Sequence, residues 1–354
     1  MQTMALLTTT IGAYPKPHYV TVPDWFQSND GPDAARPTVG WAEAMESLGE
    51  DADDVLDRGT RDAVLDQVGA GIDIPTDGEV RRENYIHYHC RHLTGIDFDN
   101  LTRKVLRNGA YTAYLPTITG PISIAKPFLT HDWQVAQSYT DKPVKITMPG
   151  PMTMTDTLVD AHYQNPQRLG ADLAKTLNVE VLALARAGCR HIQIDEPLFA
   201  RNPEAALSYG FENLERAFHG CPAQVTRTVH MCCGYPDRLD NPDYPKAARE
   251  AYFQLAAAIE SSSIMAVSIE DAHRHNDLSL LEPFQTTRVI LGVVAIAKSR
   301  VETVDEVRDR LVSALDHIDS DRLIAAPDCG LGLLGRDLAL SKLRNLSEAA
   351  RSIP

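Results

Sequence analysis

The sequence has no basic amino-terminal segment leading into an apolar run, and no apolar stretch nears the ~18 residues of a membrane span. Positive charge is scarce as well. Lys plus Arg number 34 against 48 Asp plus Glu, a formal net charge of −14. A surface of that sign repels phosphate backbones and anionic lipid, which argues against nucleic-acid and membrane partners. Low-complexity tracts, internal repeats and convincing linkers are missing too. The expectation is a soluble, cytoplasmic protein. Cysteine is sparse: Cys90, Cys189, Cys221, Cys232, Cys233 and Cys329 are spread over 354 residues. In a cytoplasmic chain of this length they are not a disulfide framework, so each thiol either packs or acts.

Hydrophobic residues make up 44% of the chain, enough for a large core. From about residue 140, short β-branched runs alternate with helical stretches. Residues 144–148, 191–195, 224–230, 265–270, 289–294 and 322–326 read as strands. Residues 166–187 carry apolar side chains at helical spacing and stop at Gly188. Further helices are expected over about 203–218, 245–260, 302–318 and 336–352. Residues 6–11 and 71–76 supply two more strands, with a helix over about 58–69 before the second. Apolar strands, each followed by a helix, indicate a parallel sheet covered on its outside. Eight such units fit the α/β class as a (β/α)8 TIM barrel, one domain over residues 1–354. Residues 95–140 break the alternation and read as a β-rich insertion, with 104–105, 111–113 and 117–122 as an antiparallel excursion.

Chemistry in such a barrel sits where the strands end. Read only there, the sequence offers Asp77-Gly78-Glu79, Asp195-Glu196, His230-Met231-Cys232-Cys233, Glu270-Asp271 and Asp328-Cys329. Residues two apart on a strand point to one side, so His230 and Cys232 can share a metal ion while Cys233 points away. Cys329 adds a second sulfur and Glu270 an oxygen, a tetrahedral set that suits zinc. Ordinary buried cysteines are the alternative. Cys90, Cys189 and Cys221 have no partner pattern and read as filler. His87, His89 and His92 read as a helix surface near the mouth, a metal face or a substrate contact being the alternatives. Residues 330–335 (GLGLLG) spell a dinucleotide fingerprint, but the 19 residues that follow cannot form a second βαβ half. A backbone anion cradle or a tight turn remains.

The motifs Thr8-Thr9-Thr10-Ile11-Gly12-Ala13-Tyr14-Pro15, Asp77-Gly78-Glu79, Gly150-Pro151-Met152-Thr153, Ile192-Gln193-Ile194-Asp195-Glu196-Pro197, His230-Met231-Cys232, Ile269-Glu270 and Pro327-Asp328-Cys329-Gly330 carry a resemblance. Essentially from end to end, the chain resembles the catalytic carboxy-terminal half of cobalamin-independent methionine synthase. Its first 50 residues do not supply the second barrel of the long enzymes, so it resembles a short core type. The resemblance implies zinc held by His230, Cys232, Glu270 and Cys329, and homocysteine as substrate. It also implies that Glu79 and Asp195 hold the amino group. Ile11 and Ala13 match a backbone clamp on the amino acid, Ala13 replacing the family's usual Ser. The chemistry agrees: a free thiol with a pKa of about 8.5 is mostly protonated at neutral pH, whereas a zinc-bound thiol is not. The weakly held Glu270 can make room for the incoming sulfur.

Two positions depart from the family. In its folate-using members an Asp and a His after the seventh strand help protonate the folate nitrogen, because an amine anion leaves poorly. Residues 292–298 (GVVAIAK) place Ala295 and Ala297 there. Thr157 or a neighbour stands where a tryptophan stacks on the pterin, and the chain's tryptophans are Trp25, Trp41 and Trp133. The folate-independent methionine synthases therefore resemble this chain better. Their donors are a methylated corrinoid protein or an oxygen-linked source. His273 and His275 are candidate replacement acids, a solvated loop being the alternative. The leading expectation is a zinc-dependent methyltransferase making methionine from homocysteine, the donor not simple methyltetrahydrofolate. The alternatives are alkyl transfer to another thiol, as in epoxide-opening thiol transferases, a 5-methyltetrahydrofolate–homocysteine methyltransferase, and a non-catalytic zinc or corrinoid-partner binding protein.

Overall fold

The computed structural model describes residues 5–27, 35–106, 111–241 and 244–353. In chain order its strands are β1 (Leu7–Thr8), β2 (Leu93–Leu106), β3 (Tyr111–Ile124), β4 (Lys145–Pro149), β5 (Val159–Asp160), β6 (His191–Asp195), β7 (Thr226–Met231), β8 (Ala266–Glu270), β9 (Arg288–Val294) and β10 (Leu323–Pro327). β1, β10, β9, β8, β7, β6 and β4 pair in that order, each neighbour parallel. Two single parallel bridges, Thr9 with Ile74 and Thr76 with Lys145, join residues 74–76 to both edges and complete the ring. The architecture is the α/β TIM barrel that the alternation implies.

The segments 6–11 and 71–76, read as full strands, make little ladder, and the reason is chemical. Thr9 Oγ1 donates to the Ile74 carbonyl at 2.7 Å. The buried Gln67 amide accepts from Thr10 Oγ1 and the Thr76 N–H and donates to the Thr76 carbonyl, at 2.5 to 3.0 Å. Side chains here satisfy backbone groups that a ladder would otherwise pair.

The helices follow their caps. In the helix Pro166–Ala187, Asn165 accepts from the Arg168 N–H, proline takes the first turn, and left-handed Gly188 ends it. It buries Leu169, Leu173, Leu177, Val181 and Leu184 along one stripe. Truncating Leu173 to Ala would cost about 2–5 kcal/mol. The helix Val304–Leu315 is shorter than the 302–318 expected, because Thr303 and Glu306 close a capping box at its start. The single helix expected over 203–218 is instead broken: Pro197–Arg201, Pro203–Ala205, a π turn Ala206–Gly210 and Phe211–Ala217. Pro203, with no N–H to donate, forces the first break. The helix placed over 245–260 begins only at Ala251.

β2 and β3 form an antiparallel hairpin of two 14-residue strands, far longer than the short pieces expected, and it starts at Leu93. Gly95 sits at a register shift with φ +83°, where a Cβ would lie 2.5 Å from the Pro121 carbonyl. β3 also pairs in parallel with β5. The chain then returns to the barrel through the helix Leu129–Gln137, whose Trp133 indole donates to the Val144 carbonyl just before β4. Among the described residues no helix is long and apolar enough to cross a membrane.

Candidate metal centre and its pocket

β7 ends with His230 and Cys232 on one side, and the turn after β10 brings Cys329 to them. One ligand atom from each of the three lies within 4.8 Å of the others. His230 Nδ1 is 2.9 Å from Ser268 Oγ on the neighbouring strand, which leaves Nε2 facing the sulfurs, 3.4 Å from Cys329 Sγ. That is how a metal-binding imidazole is oriented by an outer partner. The Cys329 thiol, hydrogen-bonded to Cys232, holds the Cys232 thiol well below its usual range, against the effect of burial.

Glu270, at the end of β8, is buried beside this cluster but stands outside the tight trio. Burial, then the charge of Cys232, push its carboxyl well above the usual carboxylate range. Among the described residues no Lys or Arg is ion-paired with it. Two thiols, an imidazole and a carboxyl gathered with no ion pair to a side chain among the described residues make a donor set that fits zinc. The Tyr252 hydroxyl ties the strand ends together, donating to the Met231 carbonyl at 2.7 Å and accepting from the Glu270 N–H at 3.1 Å. Cys233, on the opposite face, donates to that hydroxyl, and burial pushes its thiol up to about 12.

The carboxylates of the second strand segment and of β6 face the same pocket. Glu79 has a positive φ of 55°, and its Oε1 accepts from Thr147 at 2.6 Å with Arg82 at 3.3 Å. Gly12 leaves that carboxylate its position, since a Cβ there would lie 2.6 Å from Oε1 and push it aside. Gln193 Nε2 donates to both Asp195 Oδ1 and the Ile11 carbonyl, each at 2.7 Å. Burial raises the Asp195 carboxyl to about 7. Its neighbour Glu196 serves the scaffold instead, accepting from the Met152 and Thr153 N–H groups and the Thr153 hydroxyl.

The pocket, about 580 Å³ including its open mouth, is lined by Ile11, Gly12, Ala13, Glu79, Asp195, His230, Cys232 and Cys329. Trp25, Phe26, Tyr85 and Tyr235 wall it, with Trp25 and Phe26 ring centroids 4.1 Å apart and Phe26 and Tyr235 5.0 Å apart. Arg201 completes one side. The aromatic wall, Arg201, Ser268 and Tyr252 escaped the sequence reading. Only Ser268 left a signal, two residues before Glu270 on the same strand face.

Other expected positions lie elsewhere. His273 and His275 do not line this pocket. His273 Nε2 accepts from the Ile296 and Ala297 N–H groups at 3.1 and 3.2 Å, and burial lowers its pKa to about 3. His275 is exposed. His87 and His89 are buried in the helix Tyr85–Arg91 rather than on a surface, His87 Nδ1 lying 2.5 Å from Thr38 Oγ1. The Thr157 hydroxyl bonds back to the Thr153 carbonyl. In the glycine-rich run, the Leu331 N–H binds the Ala13 carbonyl at 2.7 Å and Gly335 precedes the last helix.

A family model described as "Cobalamin-independent synthase, Catalytic domain" matches residues 6–352. A methionine synthase of Saccharolobus solfataricus is 29% identical over 353 residues, 98% of this chain and 95% of its own length. One from Sulfolobus acidocaldarius is 27% identical over 343 residues, 96% and 90% of the two lengths. Among solved structures, a B12-independent methionine synthase from Shewanella sp. W3-18-1, in complex with selenomethionine, superposes with a TM-score of 0.85. It is 32% identical and covers 98% of this chain and 97% of its own. A chain from Listeria monocytogenes, TM-score 0.72 and 19% identical over 100% of this chain and 99% of its own, shares the fold.

Proposed function

The chain belongs to the cobalamin-independent methionine synthase family, through its catalytic domain, and from that membership we propose a zinc-dependent methyltransferase whose donor is not simple methyltetrahydrofolate. The coarser activity is that of the family: methyl transfer to homocysteine, giving methionine. The observation that carries the finer reading is the convergence of His230, Cys232 and Cys329 within 4.8 Å at a pocket that Glu79 and Asp195 also line.

In this reading His230, Cys232, Cys329 and Glu270 would hold zinc, which would supply a thiolate from the homocysteine thiol at neutral pH. Glu79 and Asp195 take the ammonium group, and the backbone around Ile11 and Ala13 grips the amino acid. Ser268 fixes the His230 ring so that Nε2, turned to the sulfurs, would be the ligand atom. The sulfur lone pair forms the new S–C bond while the bond from methyl to its leaving atom breaks, the electron pair departing with that atom. The aromatic wall keeps water from the reacting sulfur.

The donor reading rests on the loop after β9. The Ala295 N–H donates to Glu302, and the Ile296 and Ala297 N–H groups donate to His273, so among the described residues Glu302 and His273 are both engaged there. A donor whose leaving group departs without a proton from this loop, such as a methylated corrinoid protein, suits that arrangement. The chain then acts as one catalytic unit with the β2–β3 hairpin as its insertion. All six cysteines are free, which suits a reducing cytoplasm.

Two assays test the proposal. Expression in a methionine auxotroph lacking its own synthase restores growth on homocysteine; failure, with alkylation of another thiol, points to the thiol alkyl transferases instead. Purified zinc-loaded protein given 5-methyltetrahydrofolate as sole donor yields no methionine above background. Robust turnover there overturns the donor reading.

A further inference from the structure

The pocket lining contains one arginine and no lysine. That arginine, Arg201, ends the short helix that leaves β6 directly after Glu196. Its Nε donates to the Pro197 carbonyl at 3.3 Å, within its own helix. Neither terminal nitrogen of its guanidinium has a protein acceptor among the described residues. Other arginines near the site are engaged: Arg82 with Asp77 and Glu79, both at 3.3 Å, and Arg91 with Glu83 at 2.7 Å. The Tyr85 phenol lies within electrostatic reach of both Arg201 and Asp195, so this cation and that acid face the same space.

A guanidinium presents a planar fork of donors that matches a carboxylate through two parallel hydrogen bonds. Elsewhere in the lining Ala13 offers a side-chain methyl group, which cannot donate. Two acids and one unpaired guanidinium around a small pocket repeat, in reverse, the charges of an α-amino acid zwitterion. We propose that Arg201 reads the carboxylate of the thiol acceptor, so that the site selects an amino-acid thiol over a simple amino thiol. This rests on the homocysteine reading above. An acceptor without the carboxylate leaves the fork unpaired, and a site built to bond a group rejects the analogue lacking it.

The test is calorimetric titration of the zinc-loaded full chain with L-homocysteine and with 3-aminopropane-1-thiol, which differs only by the missing carboxylate. The native protein should favour homocysteine by about 10- to 100-fold. Arg201→Gln should bring that ratio to about unity, with zinc content and affinity for 3-aminopropane-1-thiol unchanged. Arg201→Lys, which keeps charge but not the fork, should fall between. Should the Gln variant fail to fold, Arg201→Met is read in the same way. Full preference for homocysteine in Arg201→Gln or Arg201→Met overturns the proposal and leaves the amino-acid reading intact. Equal binding of both thiols by the native protein overturns both.

Discussion

The ends of β7 and β10 and the turn after β9 contain the same kinds of polar group and use them in opposite ways. At the first, the His230 imidazole and the thiols of Cys232 and Cys329 bring their ligand atoms together at the pocket, engaged with one another rather than with the backbone. At the second, every such group is engaged by the protein. Glu302 takes the Ala295 N–H and is itself held by Lys342 at 2.8 Å. Asp328, which follows β10 but does not line the pocket, is engaged in the same way, accepting from the N–H groups of Asp271, Ala272 and His273 at 2.7 to 2.9 Å. The two histidines show the difference most directly. His230 gives Nδ1 to Ser268 and keeps Nε2; His273 spends Nε2 on Ile296 and Ala297. A histidine at a strand end is therefore not a site residue by type, but by which ring nitrogen its neighbours leave over.

The contrast breaks most decisively at Cys329. Cys329→Ser should weaken zinc binding by more than about 100-fold, beyond the 10- to 100-fold that loss of an outer partner costs. Competition with a chelator measures it, and full zinc retention would remove Cys329 from the ligand set. The carboxylates come next. Asp195→Asn should weaken L-methionine binding by about 10- to 100-fold, the worth of a charge-assisted hydrogen bond, with zinc content unchanged.

Much of this was legible because strand ends carry period-two pairs and glycine or proline breaks that survive without tertiary information. His230, Cys232, Cys329, Glu79 and Asp195 were found that way. What failed did so for physical reasons. Gln67 and the threonines Thr9 and Thr10 took over backbone bonds, so one expected strand shrank to the two-residue β1 and the other to single bridges. His87 and His89, polar in composition, are buried by distant parts of the chain, His87 against Thr38 and His89 against the ring of Phe128. Trp25 and Arg201 belong to a one-turn 3-10 helix and a five-residue helix with no local pattern linking them to the cluster of His230, Cys232 and Cys329; only the closed ring brings them together.

The acid–ammonium contact proposed for Asp195 also carries a pH signature. Burial raises the Asp195 carboxyl to about 7, so its charge is lost as pH falls through that value. Binding of L-methionine, which has no titrating thiol, should strengthen roughly tenfold per pH unit up to about 7 and then level off. Stability moves the other way. The native state keeps a proton that the unfolded chain releases near pH 4, so burial of Asp195 costs stability increasingly from about pH 4 to about pH 7. Asp195→Asn should therefore melt higher than the native protein at pH 8 and near it at pH 4. A flat binding profile from pH 5.5 to 8 would mean that the ammonium is held elsewhere.

The smallest expected effect at the site comes from the other side of the comparison. His273→Ala strips the acceptor from the Ile296 and Ala297 N–H groups, both buried, and should cost about 1–3 kcal/mol of stability. Zinc affinity and L-methionine binding should stay within about twofold of the native protein, because His273 does not line the pocket. His273→Gln, whose amide oxygen can accept from the same N–H groups, should recover most of the stability. A general acid behaves differently: the Gln variant would fold normally and still lose turnover, together with the limb of the pH–rate profile set by imidazole. Thermal denaturation of the two variants beside their turnover with the true donor separates these cases. Loss of turnover in a stable His273→Gln protein would mean that the loop after β9 is not closed in use, and that the imidazole exchanges its backbone bonds for the donor.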